Sequence, residues 1–340
     1  MRRAICFDDV LLEPQYSDIE SRTQISLAVE MPNYVDLEIP IVSSPMDTVT
    51  EVEMVLAISN EGGLGILHRY NTIDEQVSMV KEIISEDAMT KFGVAIGVTG
   101  DFEERANALV NAGCRMLCLD VAHGHHTLMK NALQVLRKAF GNKVYLMAGN
   151  VATLSAFNDL ADWGADALRV GVGGGSICST RIQTGHGIPT LQSVIDCAKS
   201  DRDCLLIADG GIKNSGDVTK CLAAGADLVM VGSLLSGTSE TPGDIIHYND
   251  GSPSRKIYRG MASREAQKSW RGKVGSIEGI ATTVVTKGSV SEVLKDLVWG
   301  VKSGLSYSGC RNLIEFQCKS KFIEQTTASQ IESNPHVLRS

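Results

Sequence analysis

One cysteine stands inside the glycine-rich segment Gly171–Arg181, GVGGGSICSTR, and that setting gives it chemistry most cysteines lack. A lone Cys is usually a small buried hydrophobe. Here glycines at 171, 173, 174 and 175 let the backbone turn tightly and approach a ligand. Clustered backbone N–H dipoles favour the thiolate, the nucleophilic form of Cys178. Ser176 adds a hydroxyl two residues before it. Two more segments suit phosphate. Gly210 and Gly211 in ADGG, and Gly232 and Ser233 in VGS, can offer N–H and hydroxyl donors to phosphate oxygens, and Asp209 can accept from ribose hydroxyls. In LDVAHGHH, His123, His125 and His126 lack the carboxylate-rich partner spacing of a metal site, so Asp120 is read as facing a second ligand. Arg69, after His68, brings a permanent positive charge.

These segments need a frame, and the pattern around them supplies one. Eight unbroken apolar runs begin at Ile39, Gly63, Phe92, Met116, Val144, Ala167, Cys204 and Leu228. Unbroken rather than alternating runs fit parallel strands covered on both faces. Stretches of helical length separate them. Ala112-Gly113, Trp163-Gly164 and Ala224-Gly225 read as helix C-caps, and Thr153 and Ser215 as N-caps. The expectation is an α/β fold, a (β/α)₈ TIM barrel forming one catalytic domain over residues 1–340, with an open doubly wound sheet as the alternative. Each reactive segment then ends a strand at the C-terminal face, where barrel active sites lie. The first 38 residues are expected to cover the barrel base or side. An insertion over 237–289, after the eighth strand, is expected to be a mobile flap. The tail 322–340 reads as polar and poorly packed. Cys114 and Cys118 read as core fillers.

Composition excludes several classes. A net charge of −8 argues against nucleic-acid and anionic-membrane partners. The N-terminus MRRAICFDDVLLEP has no apolar stretch long enough for a signal peptide, being interrupted by Asp8 and Asp9, so none is expected, and no later stretch approaches a membrane span. A cytoplasmic location and nine reduced cysteines are expected.

The motifs SSPMDTVT from Ser43, GSICSTR from Gly175, ADGGI from Ala208, VGSLLSGTSETPG from Val231 and YRGM from Tyr258 closely resemble the IMP dehydrogenase/GMP reductase family. FDDVLLEP from Phe7 resembles its N-terminal signature, and the likeness covers nearly the whole chain in order. The paired regulatory domain many such dehydrogenases insert after the second strand has no room here. The resemblance implies that Cys178 attacks purine C2, with Thr180 beside it and Glu278 near the reacting centre. It implies a phosphate held by Ser176, Gly211, Gly232, Ser233 and Tyr258, with Gly210 beside them, and a ribose on Asp209. Ser44, Met46, Asn150, Gly260 and Met261 would line the rest of the nucleotide pocket. Asp120, with His123 and Arg69, would border a nicotinamide cofactor. A homotetramer and a K⁺ site through Gly171, Gly173 and Cys178 are also implied. Gly174, where the family has Pro, puts that cation site in question, and His186 takes a usually apolar position.

Two activities share the implied covalent thioimidate. One oxidises IMP with NAD and hydrolyses the adduct with water that an Arg-Tyr pair on the flap activates. The other expels ammonia from GMP and reduces the adduct with NADPH. The flap MASREAQKSWRGKVGSIEGI is short and has no Arg-Tyr pair, while HRY and DVAHGH resemble some bacterial GMP reductases. SSPMDTVT and Ser308–Cys310 resemble dehydrogenases. The balance favours GMP reductase with NADPH; an IMP dehydrogenase without the regulatory domain, using NAD, is the alternative. Two other classes stay open: a nucleotide-binding regulator on an inactive barrel, and a flavin or phosphosugar barrel enzyme, since such phosphate loops recur on many barrels.

Overall fold

Each of the eight apolar runs becomes one strand of a closed parallel barrel. The computed structural model describes residues 2–333. A short β1 (Val10–Leu12) comes first. The barrel follows as β2 (Ile41–Ser43), β3 (Leu64–Leu67), β4 (Phe92–Ile96), β5 (Met116–Asp120), β6 (Tyr145–Val151), β7 (Ala167–Val170), β8 (Leu205–Asp209) and β9 (Leu228–Val231). Pairing of β2 with β9 closes the ring, which rules out the open sheet. Strand residues are buried almost throughout, as strands with helices on one side and a filled barrel on the other must be.

The outer helices are α1 (Val52–Asn60), α2 (Ile73–Glu86), α3 (Phe102–Asn111), α4 (Thr127–Phe140), α5 (Leu154–Asp162), α6 (Thr180–Thr184), α7 (Thr190–Cys197) and α8 (Ser215–Ala223). Their starts are chemically marked. Thr72 and Glu75 form a reciprocal capping box on α2, and Thr153 caps α5 by accepting from Ala156 N. At α8 the cap is Asn214, which accepts from Asp217 N; Ser215, expected in that role, is the first helical residue. Gly113, Gly164 and Gly225 follow helix ends with positive φ, as the Gly-terminated pattern predicts. Only five residues separate β3 from α2, so nothing is inserted there.

The segment 237–289 is more regular than a bare flap. It holds an antiparallel hairpin, β10 (Arg255–Arg259) and β11 (Ala281–Val285), with α9 (Arg264–Arg271) between its strands. Then α10 (Val290–Tyr307) returns to the barrel wall, burying Val290, Leu294, Leu297, Val301 and Leu305 on one face. After α11 (Leu313–Lys319), none of the described tail residues is buried, as the polar reading expects, but the segment is regular in structure. Its β12 (Phe322–Glu324) pairs antiparallel with β1, and α12 (Thr327–Glu332) follows. Residues 334–340 of that expected tail lie outside the described residues. The N-terminal segment covers the barrel base: Tyr34 donates to the carbonyl of Phe92 at the start of β4 and packs its ring against Tyr145 at the start of β6.

The base carries a repeated device. Asp166 and Asp227, each in a Gly-Ala-Asp step, accept from the backbone N–H of Leu146 and Leu206 at 2.7 Å. Asp166 is also held by Arg137. Asp227 has no salt-bridge partner among the described residues, and burial pushes its carboxyl up to about 6. A raised folded-state pKa stabilises below the unfolded value and loses that contribution as pH rises through about 6. The span corresponds to about 3 kcal/mol. Asp227→Asn keeps an acceptor for Leu206 and removes the charge. Urea unfolding should show the variant gaining up to about 3 kcal/mol at pH 8 and near nothing at pH 4. Parallel pH profiles for the two proteins would refute the uncompensated charge.

Candidate active site

A cavity of about 560 Å³ opens at the C-terminal ends of the barrel strands, under the β10–β11 flap. Of the residues put forward from sequence, Ser44, Met46, Arg69, Asp120, Asn150, Gly171, Gly173, Ser176, Cys178, Thr180, Asp209, Gly210, Gly211, Gly232, Ser233, Tyr258, Gly260, Met261 and Glu278 all line it. His123 does not: it is exposed on the loop after β5. Burial and the neighbouring His125 and His126 lower its pKa. His125 is paired with Asp159, and His126 caps α4. Cys114 and Cys118 are fully buried, and burial pushes their thiols to about 12 and about 11.

Cys178 sits half-buried between β7 and α6. Its thiol donates to Thr180 Oγ1 at 3.2 Å, and the Thr180 hydroxyl donates to Glu278 Oε2 at 2.8 Å. Ser276 donates to the other oxygen, Oε1. The thiol therefore has a two-step hydrogen-bonded path to a carboxylate 100 residues later in the chain. Backbone pairing makes that possible. Ser179 N donates to Glu278 O at 2.9 Å, Ile280 N donates to Ile177 O at 3.0 Å, and Cys178 lies opposite Gly279. The flap is tied to the other rim by Arg259, which reaches Asp47 in the loop after β2 at 3.0 Å.

The glycines act by close approach. A side chain at Gly171 would place its Cβ 1.9 Å from the Asp209 carbonyl oxygen, so the β7 and β8 loops touch through bare backbone. At Gly174 a Cβ would lie 2.4 Å from Thr190 Oγ1. The space the family's proline would take is thus filled from α7. Around Gly232, Ser44 Oγ, Met46 Sδ and Tyr258 OH converge within 3.4 Å of where a Cβ would stand. Burial raises the Tyr258 pKa, so its hydroxyl remains a donor; it also contacts Ser176 at 3.4 Å.

Beneath the cavity runs a charged network that sequence reasoning missed. Arg169, on β7, reaches Asp120 on one side and Asp209 on the other, the latter at 2.9 and 3.1 Å. Burial opposes its charge, yet Asp209 and Asp120 outweigh this and raise its pKa. Burial likewise works against ionised Asp120, but Arg169 and Arg69 hold its carboxyl below the usual range. Asn150 also donates to Asp209 Oδ2 at 2.7 Å. All these bonds reach Oδ2, so Oδ1 of Asp209 is the acceptor left for a ligand. The sequence signal was a lone Arg inside the apolar run ALRVGVG.

At the far end, Arg69 stacks over Tyr70 and Trp270, whose rings meet edge to face at 5.0 Å. His68 orients that loop: its Nδ1 accepts from Tyr70 N, so Nε2 donates to Glu51. Among the described residues the Trp270 Nε1–H is buried without a hydrogen-bond partner, while Arg69 Nε faces Asp120 Oδ2 at 3.5 Å. An orphaned donor beside an aromatic wall fits a planar ligand that brings an acceptor, as a nicotinamide with its carboxamide does. The K⁺ site fits less well. The Gly171 carbonyl already accepts from Asn150, and a Cβ on Gly173 would meet the side chain of Arg181, with Nε at 3.1 Å. A fixed cation beside that loop leaves little need for a second. Among the described residues no helix is long and apolar enough to cross a membrane.

Comparison with known proteins bears on this arrangement. Residues 4–336 match the model of the IMP dehydrogenase / GMP reductase domain. The inosine-5'-monophosphate dehydrogenase of Nitrosopumilus maritimus is 35% identical over 471 aligned positions, covering 98% of each chain. The GMP reductase of Leishmania major is 31% identical, covering 98% of this chain and 96% of that one. The crystal structure of GMP reductase C318A from Trypanosoma brucei in complex with guanosine 5'-monophosphate superposes with a TM-score of 0.92 at 29% identity, covering 99% and 98%.

Proposed function

The chain belongs to the IMP dehydrogenase/GMP reductase family of purine-nucleotide oxidoreductases, and from that footing we propose that it is a GMP reductase, converting GMP to IMP and ammonia with NADPH. The observation that carries the direction is the flap. Its α9 ends in Trp270-Arg271, and the Arg271 guanidinium lies over the Trp270 ring at 4.1 Å, with no neighbouring tyrosine in the flap to make a water-activating pair. Arg69 and Tyr70 are instead both turned to Asp120. A thioimidate here has a wall of aromatic and stacked cationic groups beside it rather than a base poised over water.

Ser176, Gly211, Gly232, Ser233 and Tyr258, with Gly210, receive the 5'-phosphate as neutral donors, and Asp209 takes the ribose. Ser44, Met46, Asn150, Gly260 and Met261 hold the purine. Glu278 takes the Cys178 proton through Thr180 as sulfur bonds to C2. It then delivers that proton to the 2-amino group, which leaves as ammonia and gives a C2 thioimidate. The nicotinamide, lodged against Asp120, Arg69, Tyr70 and Trp270, supplies hydride when bound. As C2 is reduced, the carbon–sulfur bond breaks, and the thiolate recovers a proton that Glu278 takes up from solvent and passes back through Thr180, so atoms and charge balance. K⁺ has no part in this sequence.

The test is direct. The purified enzyme with GMP and NADPH should consume reduced nicotinamide and release ammonia, and with IMP and NAD should do nothing. Production of reduced nicotinamide only in the second mixture would make it an IMP dehydrogenase instead, the reading the name of the Nitrosopumilus maritimus relative favours. Silence in both would refute the assignment.

A further inference from the structure

Three cations line the nucleotide cavity, and all are spent elsewhere. Arg69 and Arg169 are paired with aspartates, and Arg271 lies on Trp270. The phosphate end is lined by glycines and hydroxyls. A phosphate monoester carries close to two negative charges near neutral pH. Neutral donors alone leave that charge without a counter-field.

A second cavity of about 390 Å³ lies behind this end and shares Ser176, Ser233 and Tyr258 with the first. Lys287 lines it, just past β11. After β9 the chain makes one helical turn, with Leu235 N and Ser236 N bonding to Gly232 O at 3.1 and 2.9 Å. Gly232 and Ser233, at the start of that turn, face the nucleotide cavity. The carbonyls of Ser233 and Leu234 accept from Lys287 Nζ at 3.1 and 2.9 Å. Lys287 is itself fixed by its backbone N–H, which bonds to Gly237 O at 2.7 Å.

We propose that Lys287 supplies the positive field of the phosphate site, a positioning residue one peptide behind the groups that touch the phosphate. Its ammonium binds the carbonyl oxygens of Ser233 and Leu234, which holds the turn that carries Gly232 and Ser233 in place at the phosphate end. Its charge also acts on the phosphate through Ser233, in a partly exposed setting where salt moderates the effect. The inference rests on the phosphate lying where the functional reading puts it.

Calorimetric titration with GMP and with guanosine, which lacks the phosphate, tests it. Lys287→Met should weaken GMP binding and raise its KM by about tenfold, with the loss in KM rather than kcat. Guanosine binding should not move, which also shows that the variant is folded. Lys287→Arg should restore most GMP affinity, and high salt should narrow the gap between wild type and Lys287→Met. An unchanged GMP affinity in Lys287→Met, or an equal loss for guanosine, overturns the proposal. Wild-type protein binding GMP no tighter than guanosine would instead sink the phosphate assignment, and this inference with it.

Discussion

Replacing Cys178 with alanine will remove turnover, a loss of about 10⁴-fold or more, and leave GMP bound nearly as well as before. Binding should survive because the residues that line the cavity are spread over the ends of several strands and the flap, and their placement does not depend on the sulfur. Catalysis does not survive, because no other nucleophile stands in the Gly171–Arg181 loop at the end of the proton path through Thr180. Mass spectrometry of wild-type enzyme quenched with GMP should show a protein adduct equal to GMP less ammonia, absent in the variant. Turnover by Cys178→Ala above about a hundredth of wild type would end the covalent scheme.

Glu278→Gln should cost about 10²–10⁴-fold in kcat, the usual worth of a positioned acid–base group. Glutamine keeps the shape and can still meet Thr180 but cannot take a proton. Thr180→Val should do comparable damage by cutting the path while sparing the carboxylate, because the thiol meets Glu278 only through that hydroxyl. The two changes together should lose little more than either alone, since each removes the same relay. Additive losses would mean that Thr180 and Glu278 act separately. Adduct formation, watched in single turnovers without cofactor, should slow with kcat if the relay serves ammonia departure.

The barrel was legible because its strands are covered on both faces and so read as unbroken apolar runs, from Ile39 to Leu228. The reactive loop was legible for a related reason: glycines crowded before Cys178 mark backbone that must approach something closely. What stayed hidden depends on contacts distant in sequence. Arg169 is a lone charge in the run ALRVGVG, and its partners Asp120 and Asp209 are 49 and 40 residues away. The β1–β12 ribbon joins the two ends of the chain, and no local pattern announces such a pairing. Asn214 and Ser215 are both good caps, and the choice between them is one residue of register. His123 was drawn in by nearness to Asp120, but the chain turns outward after β5. Trp270 stood out by type, and only its stacking on Tyr70 gave it a place.

Strand-like stitching between the cysteine loop and Glu278–Ile280 means that the proposed nucleophile and base ride on one piece of fabric. A fluctuation that peels the flap away withdraws the carboxylate and unseats the loop together. Opening the flap therefore takes the path from Cys178 through Thr180 to Glu278 apart in the same movement that uncovers the sulfur. Proteolytic nicking within α9 should accordingly silence the chemistry outright rather than leave an enzyme that leaks.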